Sequence, residues 1–162
     1  MALIMGLDPG MAITGFSILN LTGSQYRVVT YDSVRTPATL PPALRLEFLY
    51  RQLSTVLQQY RPEEVAVEQL FINRNASTAI PVGQARGVAL LAAVHAGARV
   101  FEYSPLQVKQ GITGSGRASK KQIQYMVRAI LGLADTPRPD DVADALAVAV
   151  CHCHYRRVEA LG

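Results

Sequence analysis

The sequence has few of the features that mark secreted, membrane-embedded or disordered proteins. Its 162 residues include only 2 cysteines, Cys151 and Cys153, whose spacing in a predicted helix points their side chains apart and so disfavours a disulfide. No run of like charges suggests a charged tail. The longest apolar stretch, residues 87–98, is too short to span a bilayer. With no basic segment before the N-terminal apolar run, we expect no signal peptide, no membrane segment and a cytoplasmic protein.

What the sequence does contain indicates a packed, basic globule. Hydrophobic residues make up 49% of the chain, and the length suits one domain covering residues 1–162. Sixteen Lys and Arg residues outweigh twelve Asp and Glu, which gives a net charge of +4. This balance is compatible with a polyanionic partner such as nucleic acid but does not establish one.

The order of apolar patterns predicts an α/β fold with a mixed sheet. Three strands come first, as in an antiparallel meander, and helices then alternate with two further strands. Small residues dominate the second helix, which we expect at the centre or at a subunit interface. A glycine-rich loop is expected at residues 111–116, between a strand that Ser104 and Pro105 end and a helix that begins with a capping box at Ser119 and Gln122 and ends at Gly132. The predicted strands are residues 2–7, 15–21, 26–35, 65–67 and 99–103, and the predicted helices are residues 41–60, 78–96, 119–131 and 140–157.

Acidic residues stand where two buried strands end and where the last helix begins. Asp8 follows "LIMGL" and Glu68 follows "VAV", and sites in such sheets gather at the carboxyl ends of strands. Asp141 and Asp144 share one face of the last helix, as do Asp140 and Asp144, so spacing alone does not choose between these pairs. Four carboxylates carry the charge that two Mg²⁺ or Mn²⁺ ions neutralise, and such pairs of ions hydrolyse phosphodiesters.

Each acid also has a purely structural interpretation. An acid in the first turn of a helix often serves as a cap or offsets the helix dipole, which is the better interpretation of Asp140. Asp8 could cap the turn that Pro9 and Gly10 form. Glu68 has no local capping role after "VAV", so the set is more informative than any single member.

Four segments of this chain together resemble the RuvC family of Holliday-junction resolvases, from residue 2 to about residue 155. They are "GLDPGMAITGFSIL", "VAVEQLFINRNASTAIPVGQARGVALLAA", "YSPLQVKQGITGSGRASKKQIQYMVRAIL" and "DDVADALAVAVCHCH". The resemblance implies a ribonuclease H-like fold with a five-stranded mixed sheet and helices on both faces. It also implies a homodimer that makes paired nicks in four-way DNA junctions, two Mg²⁺ ions per subunit with Mn²⁺ as a substitute, and the branch-migration helicase RuvA–RuvB as a partner.

The resemblance also assigns roles to individual residues. Its catalytic, metal-binding acids fall on Asp8, Glu68, Asp141 and Asp144, which leaves Asp140 as the expected cap. An aromatic that stacks on bases near the junction centre falls on Phe71. The remaining residues expected to contact DNA are Lys109, Lys120, Lys121, Arg74 and Arg117.

Two further motifs do not indicate sites, and two other functions remain as alternatives. "GITGSGRASK" has Arg117 and Ala118 where a P-loop needs Lys and Ser or Thr. The four residues of "CHCH" spread around a helix and cannot bind one tetrahedral zinc; we expect partly exposed histidines there. An actin-like ATPase would need a much longer chain. A catalytically inactive junction-binding module would be expected to lack one of the four acids.

Overall fold

A computed structural model describes residues 1–71 and 76–161 of the chain. It contains a five-stranded sheet in the order β3-β2-β1-β4-β5. The elements in chain order are β1 (Ala2–Asp8), β2 (Ile13–Thr22), β3 (Gln25–Arg35), α1 (Pro42–Tyr60), β4 (Glu64–Glu68), α2 (Ala76–His95), β5 (Arg99–Tyr103), α3 (Pro105–Thr113), α4 (Lys120–Leu131) and α5 (Asp140–Leu161).

The sheet is mixed, as the sequence predicts. β1 and β2 are antiparallel, as are β2 and β3, whereas β4 runs parallel to both β1 and β5. Parallel strands end at the same edge of a sheet, so β1, β4 and β5 bring their carboxyl ends together there. Asp8 and Glu68 are the last residues of β1 and β4, and this topology therefore places both acids at one edge.

Helices cover both faces of the sheet and enclose two hydrophobic clusters. On one face, α1 and α2 pack over Met5, Leu7, Val65 and Val67 of the central strands. On the other face, α3, α4 and α5 pack over Ile4 and neighbouring residues. The central strands are thus buried on both sides, which explains why β1 and β4 are continuous apolar runs rather than alternating ones.

The structure contradicts the sequence prediction in one element, α3. Residues 105–113 form a helix, so Gly111 lies in its last turns instead of in the predicted loop at 111–116. Ser104 caps this helix: its hydroxyl accepts from the Gln107 amide at 3.1 Å, and its own amide donates to the Gln107 side chain at 2.8 Å. Pro105 is the first helical residue, a position that proline favours. In the sequence, the same Ser-Pro pair indicates only the end of the preceding strand.

The predicted signals for α4 are confirmed. The Ser119 hydroxyl accepts from the Gln122 amide at 3.2 Å, and the Ser119 amide donates to the Gln122 side chain at 2.8 Å, which completes a capping box. Gly132 ends the helix with φ of 64°, the left-handed conformation that glycine adopts at low cost. Local sequence therefore determines both ends of α4.

The apolar helix α2 is longer than the apolar stretch noted in the sequence. By length and composition, its segment Ser77–His95 is apolar enough to cross a membrane, as core helices of globular proteins also are. Ala85, Ala89, Ala92 and Ala93 of this helix are buried in the cluster shared with α1. Its exposed apolar residues are Ile80, Leu91 and Val94.

Candidate active site

Helix α5 lies unusually close to the sheet because small residues face it. A Cβ added to Gly15 would lie 2.0 Å from the Asp141 carbonyl oxygen, and one added to Gly6 would lie 2.0 Å from the Ala145 carbonyl oxygen. Between these contacts, the buried Ser17 hydroxyl donates to the same Ala145 oxygen at 3.1 Å. The backbone of α5 therefore rests directly on β1 and β2, a close approach that only glycine permits.

This approach brings the first turn of α5 next to the end of β1. Gly15 is the cross-strand partner of Asp8, so the residue that touches Asp141 stands beside Asp8 in the sheet. The pKa of Asp8 is raised from 3.8 to about 8, first because burial removes water and then because the carboxylates of Asp144, Asp141 and Glu68 repel its charge. The four acids selected in the sequence thus form one electrostatically coupled cluster.

Two other members of this cluster also hold their protons more tightly than free carboxyls. Loss of solvation raises the pKa of Asp144, although Lys120 opposes this effect. Loss of solvation raises the pKa of Glu68, and the carboxylate of Asp144 raises it further. The side chain is exposed, but the residues around it displace part of its water. Without a counter-charge, the cluster is therefore costly to ionise.

Lys120 supplies part of the missing positive charge. Its Nζ lies 3.3 Å from Asp140 Oδ2 and 3.5 Å from Asp144 Oδ2. Burial acts to lower the pKa of Lys120, but the carboxylates of Asp144 and Asp140 outweigh it and the net pKa is raised. Asp140 itself is the first residue of α5 and also accepts from Arg138 Nη1 at 3.0 Å. Its carboxylate thus binds two cationic side chains at the edge of the cluster.

The cluster opens into a cleft of about 240 Å³ whose walls carry both acidic and basic groups. Glu68 and Asp144 line it, together with Lys109 of α3 and Lys120 of α4. Two of the five basic residues predicted to contact DNA are therefore part of the same cleft as the acids. Its other lining residues are Pro105, Val108, Ile123 and Ala147.

The chain as a whole matches a known family. Residues 4–152 match the family described as "Crossover junction endodeoxyribonuclease RuvC". The chain belongs to the RuvC family. Its members are hydrolases of phosphodiester bonds, and the resemblance seen in the sequence is confirmed.

Individual relatives agree with this assignment over nearly their whole length. The RuvC of Pelotomaculum thermopropionicum is 55% identical over 153 residues, which cover 94% of this chain and 93% of that protein. The RuvC of Clostridioides difficile is 50% identical over 97% of this chain and 93% of that protein. Among solved structures, Thermus thermophilus RuvC in complex with a Holliday junction substrate has a TM-score of 0.92 and 39% identity, covering 98% of this chain and 97% of that one.

The acid cluster suits the divalent-metal-dependent chemistry that the RuvC family implies. Within the described ranges, no three His, Cys, Asp or Glu side chains are arranged to hold one ion together. Mg²⁺ does not require such a group, because it keeps several waters and binds through one or two carboxylates plus substrate phosphate. All four clustered donors are carboxylate oxygens, the ligands that Mg²⁺ and Mn²⁺ prefer, and divalent charge would relieve their mutual repulsion. The residues present therefore fit such ions.

Three of the remaining predicted DNA contacts lie outside this cleft. Phe71 follows β4 and is 60% exposed, which excludes a role in the core. Arg117 and Lys121 are exposed and line a second cleft beside α4. Arg74 lies outside the described residues.

The prediction of partly exposed histidines in "CHCH" is wrong for His152 and right for His154. His152 is 2% exposed; its Nε2 lies 2.8 Å from the buried Glu64 carboxylate, and its Nδ1 lies 2.5 Å from the Tyr103 hydroxyl. Since a carboxylate only accepts, Nε2 carries the proton and Nδ1 accepts from Tyr103. His154 is half-buried and joins the Tyr26 hydroxyl, at 2.7 Å, to the Gly111 carbonyl. Both histidines link structural elements.

The structure also shows positioning residues that the sequence interpretation missed. Gly6, Gly15 and Ser17 place α5 against the sheet and so bring Asp141 and Asp144 to Asp8. The signal available in the sequence was the alternation of small residues at 15 and 17 in an otherwise bulky strand. These small residues can be interpreted only once the position of α5, which packs against them, is known.

Proposed function

We propose that this chain resolves Holliday junctions by paired, symmetric nicks, with Asp8, Glu68, Asp141 and Asp144 as its catalytic acids. The observation that carries the proposal is the coupled acid cluster at the sheet edge, where the pKa of Asp8 is raised to about 8 by burial and by three carboxylates. A structural cap or an isolated surface acid would not be coupled to three other carboxylates, two of which line a cleft. Membership of the RuvC family supports the same conclusion, and neither an inactive module nor an ATPase is favoured.

The four acids would hold two divalent ions, Mg²⁺ or Mn²⁺ as a substitute. When bound, such a pair of ions activates water and stabilises the leaving oxygen of a phosphodiester. The chain itself supplies Lys109 and Lys120, whose ammonium groups line the cleft and bind a phosphate oxygen there. Lys120 also pairs with Asp144, so its positive charge offsets part of the repulsion among the acids before DNA binds.

The exposed Phe71 is proposed to stack on a base near the junction centre. Its ring is 60% exposed immediately after β4, the strand that ends in Glu68. Stacking of a base on an exposed ring contributes roughly 1–3 kcal/mol and tolerates any base. Arg117 and Lys121, which are exposed, are proposed as phosphate contacts. Arg74 is proposed as a further phosphate contact.

We propose a homodimer built on α2. Two cuts related by the symmetry of a four-way junction require two active sites related by a two-fold axis. Ile80, Leu91 and Val94 fall on one face of α2 and are 62%, 49% and 59% exposed. Gly87 lies on the same face, and a Cβ there would meet nothing within 4 Å in the described chain, which leaves room for a second helix. The helicase RuvA–RuvB is a further proposed partner, and the cytoplasm the proposed location.

The catalytic proposal is tested by incubating synthetic four-way junctions with wild type, Asp8→Asn and Glu68→Gln in Mg²⁺ and in Mn²⁺. Both variants should bind the junction and leave it uncut, because each removes a carboxylate from the cluster. Asp140→Asn is the matched control: it removes the acid directly before Asp141 and should keep cutting. Full cleavage by Asp8→Asn would contradict the proposal.

The dimer proposal is tested by sedimentation of Leu91→Glu, which should be a monomer and should nick only one strand at a time. Leu44→Glu is the control, because Leu44 is 47% exposed on α1 and lies outside the proposed interface. A wild-type protein that sediments as a monomer, with and without DNA, would contradict the dimer.

A further inference from the structure

A surface on the outer side of α4 is basic along its whole length. Between Glu102 and Asp135 the sequence contains five Lys and Arg residues and no Asp or Glu. Two of the five, Lys109 and Lys120, line the acid-containing cleft. The other three, Arg117, Lys121 and Arg128, have no role in that cleft, and within residues 1–71 and 76–161 none of them forms an ion pair.

These three cations lie around one exposed aromatic ring. Tyr125 is 61% exposed and stands four residues after Lys121 and three before Arg128. This spacing places Lys121, Tyr125 and Arg128 on one face of the helix. The guanidinium carbon of Arg128 lies 5.9 Å from the centroid of the Tyr125 ring, a cation–π contact that orients the guanidinium. Arg117, Lys121 and Tyr125 also line one cleft of about 510 Å³. We call these four residues the α4 outer surface.

The α4 outer surface is continuous with the candidate active site. Lys120 and Lys121 are neighbours in the first turn of α4; the first reaches Asp144 and the second lines the outer cleft. From Lys121 to Arg128 the helix rises about 10 Å, which matches the rise of about three base pairs along the axis of duplex DNA. Arg, Lys and Tyr side chains are the groups that contact phosphate and sugar without reading sequence.

We propose that the α4 outer surface binds the sugar–phosphate backbone of one duplex arm of the junction, with Tyr125 and Arg128 as DNA contacts additional to the predicted ones. This proposal rests on the proposed function, since the arm belongs to the substrate cut at the acid cluster. The density of unpaired positive charge around an exposed ring favours a polyanion over an apolar protein partner.

The test measures fluorescence anisotropy of a labelled four-way junction and of a linear duplex of equal length, in EDTA over a range of salt concentrations. Arg128→Gln should weaken binding of both DNAs by the same factor, roughly 5- to 10-fold at about 0.1 M salt, and reduce the salt slope by about 0.9. Tyr125→Ala should weaken both, and Arg128→Lys should restore the slope. Arg51→Gln is the matched control, because Arg51 is an exposed cation on α1, across the sheet.

Each outcome decides the proposal. Affinity and slope equal to those of Arg51→Gln would overturn it and point to a partner other than DNA. A loss on the junction alone would also overturn it, since the surface would then contact the junction centre rather than an arm. Thermal denaturation checks that Tyr125→Ala and Arg128→Gln remain folded. Cleavage by wild type in Mg²⁺ is scored separately, so failure of the proposed function is distinguished from failure of the arm contact.

Discussion

Replacing Asp8 with Asn should stabilise the metal-free protein while abolishing cleavage. Burial and three carboxylates raise the pKa of Asp8 from 3.8 to about 8, so the folded state binds a proton more tightly than the unfolded state does. Stability then falls as pH rises above the unfolded value, and the penalty is complete only above the folded value. Neutral Asn carries no such penalty.

The size of the stability gain depends on the pH range over which the charge of Asp8 destabilises the folded state. Each pH unit between the two pKa values costs about 1.4 kcal/mol, so the ceiling at pH 7 is on the order of 4 kcal/mol. Relaxation of the cluster and sharing of one proton among several acids reduce this ceiling, so we expect a gain of about 1–3 kcal/mol for Asp8→Asn at pH 7. The gain should shrink toward zero near pH 4.

The assay is urea denaturation of both proteins in EDTA between pH 4 and pH 8. Asp135→Asn, which removes an exposed acid elsewhere, serves as the control and should show no such pH dependence. Added Mg²⁺ should stabilise wild type but not Asp8→Asn, because only the intact cluster gains from binding the ion. A stability difference that is absent, or that is the same at pH 5 and at pH 8, would contradict this prediction.

Three further predictions test the framework around the site. Gly15→Ala should lower the free energy of unfolding by about 2–4 kcal/mol and abolish cleavage, since its Cβ would lie 2.0 Å from the Asp141 oxygen; equal denaturation midpoints for Gly15→Ala and wild type would contradict this. In the same denaturation assay, His152→Ala should lower the free energy of unfolding by about 2–4 kcal/mol. Tyr103→Phe should lower it by about 1 kcal/mol. Because burial lowers the pKa of His152 from 6.5, wild type should lose stability as pH falls below 6.5, and His152→Ala should lack that contribution; an unchanged pH profile would count against it.

Local signals predicted several elements because neighbouring residues alone determine them. The capping box of Ser119 and Gln122 and the left-handed Gly132 bound α4 as expected. A similar box at Ser104 and Gln107 is present in the sequence, but Ser104 and Pro105 indicate only a strand end there, so the sequence does not predict α3. A capping box indicates a helix start only when helix-forming residues follow it, and this helix is short and contains Gly111 in its last turns.

The sequence alone indicates the family, the order of most elements and the four acids that the fold brings together. Strand-end acids are visible in one dimension because each follows its own apolar run. How those acids meet depends on the packing of the whole chain, because their approach requires contacts between residues far apart in the sequence. Gly15 and Asp141 are more than a hundred residues apart in the sequence, and the missing side chain of Gly15 lets the Asp141 backbone pack against the sheet. The carboxylates that this packing brings together raise the proton affinity of Asp8. The burial of His152 against Glu64 is likewise a property of packing, which no local pattern encodes.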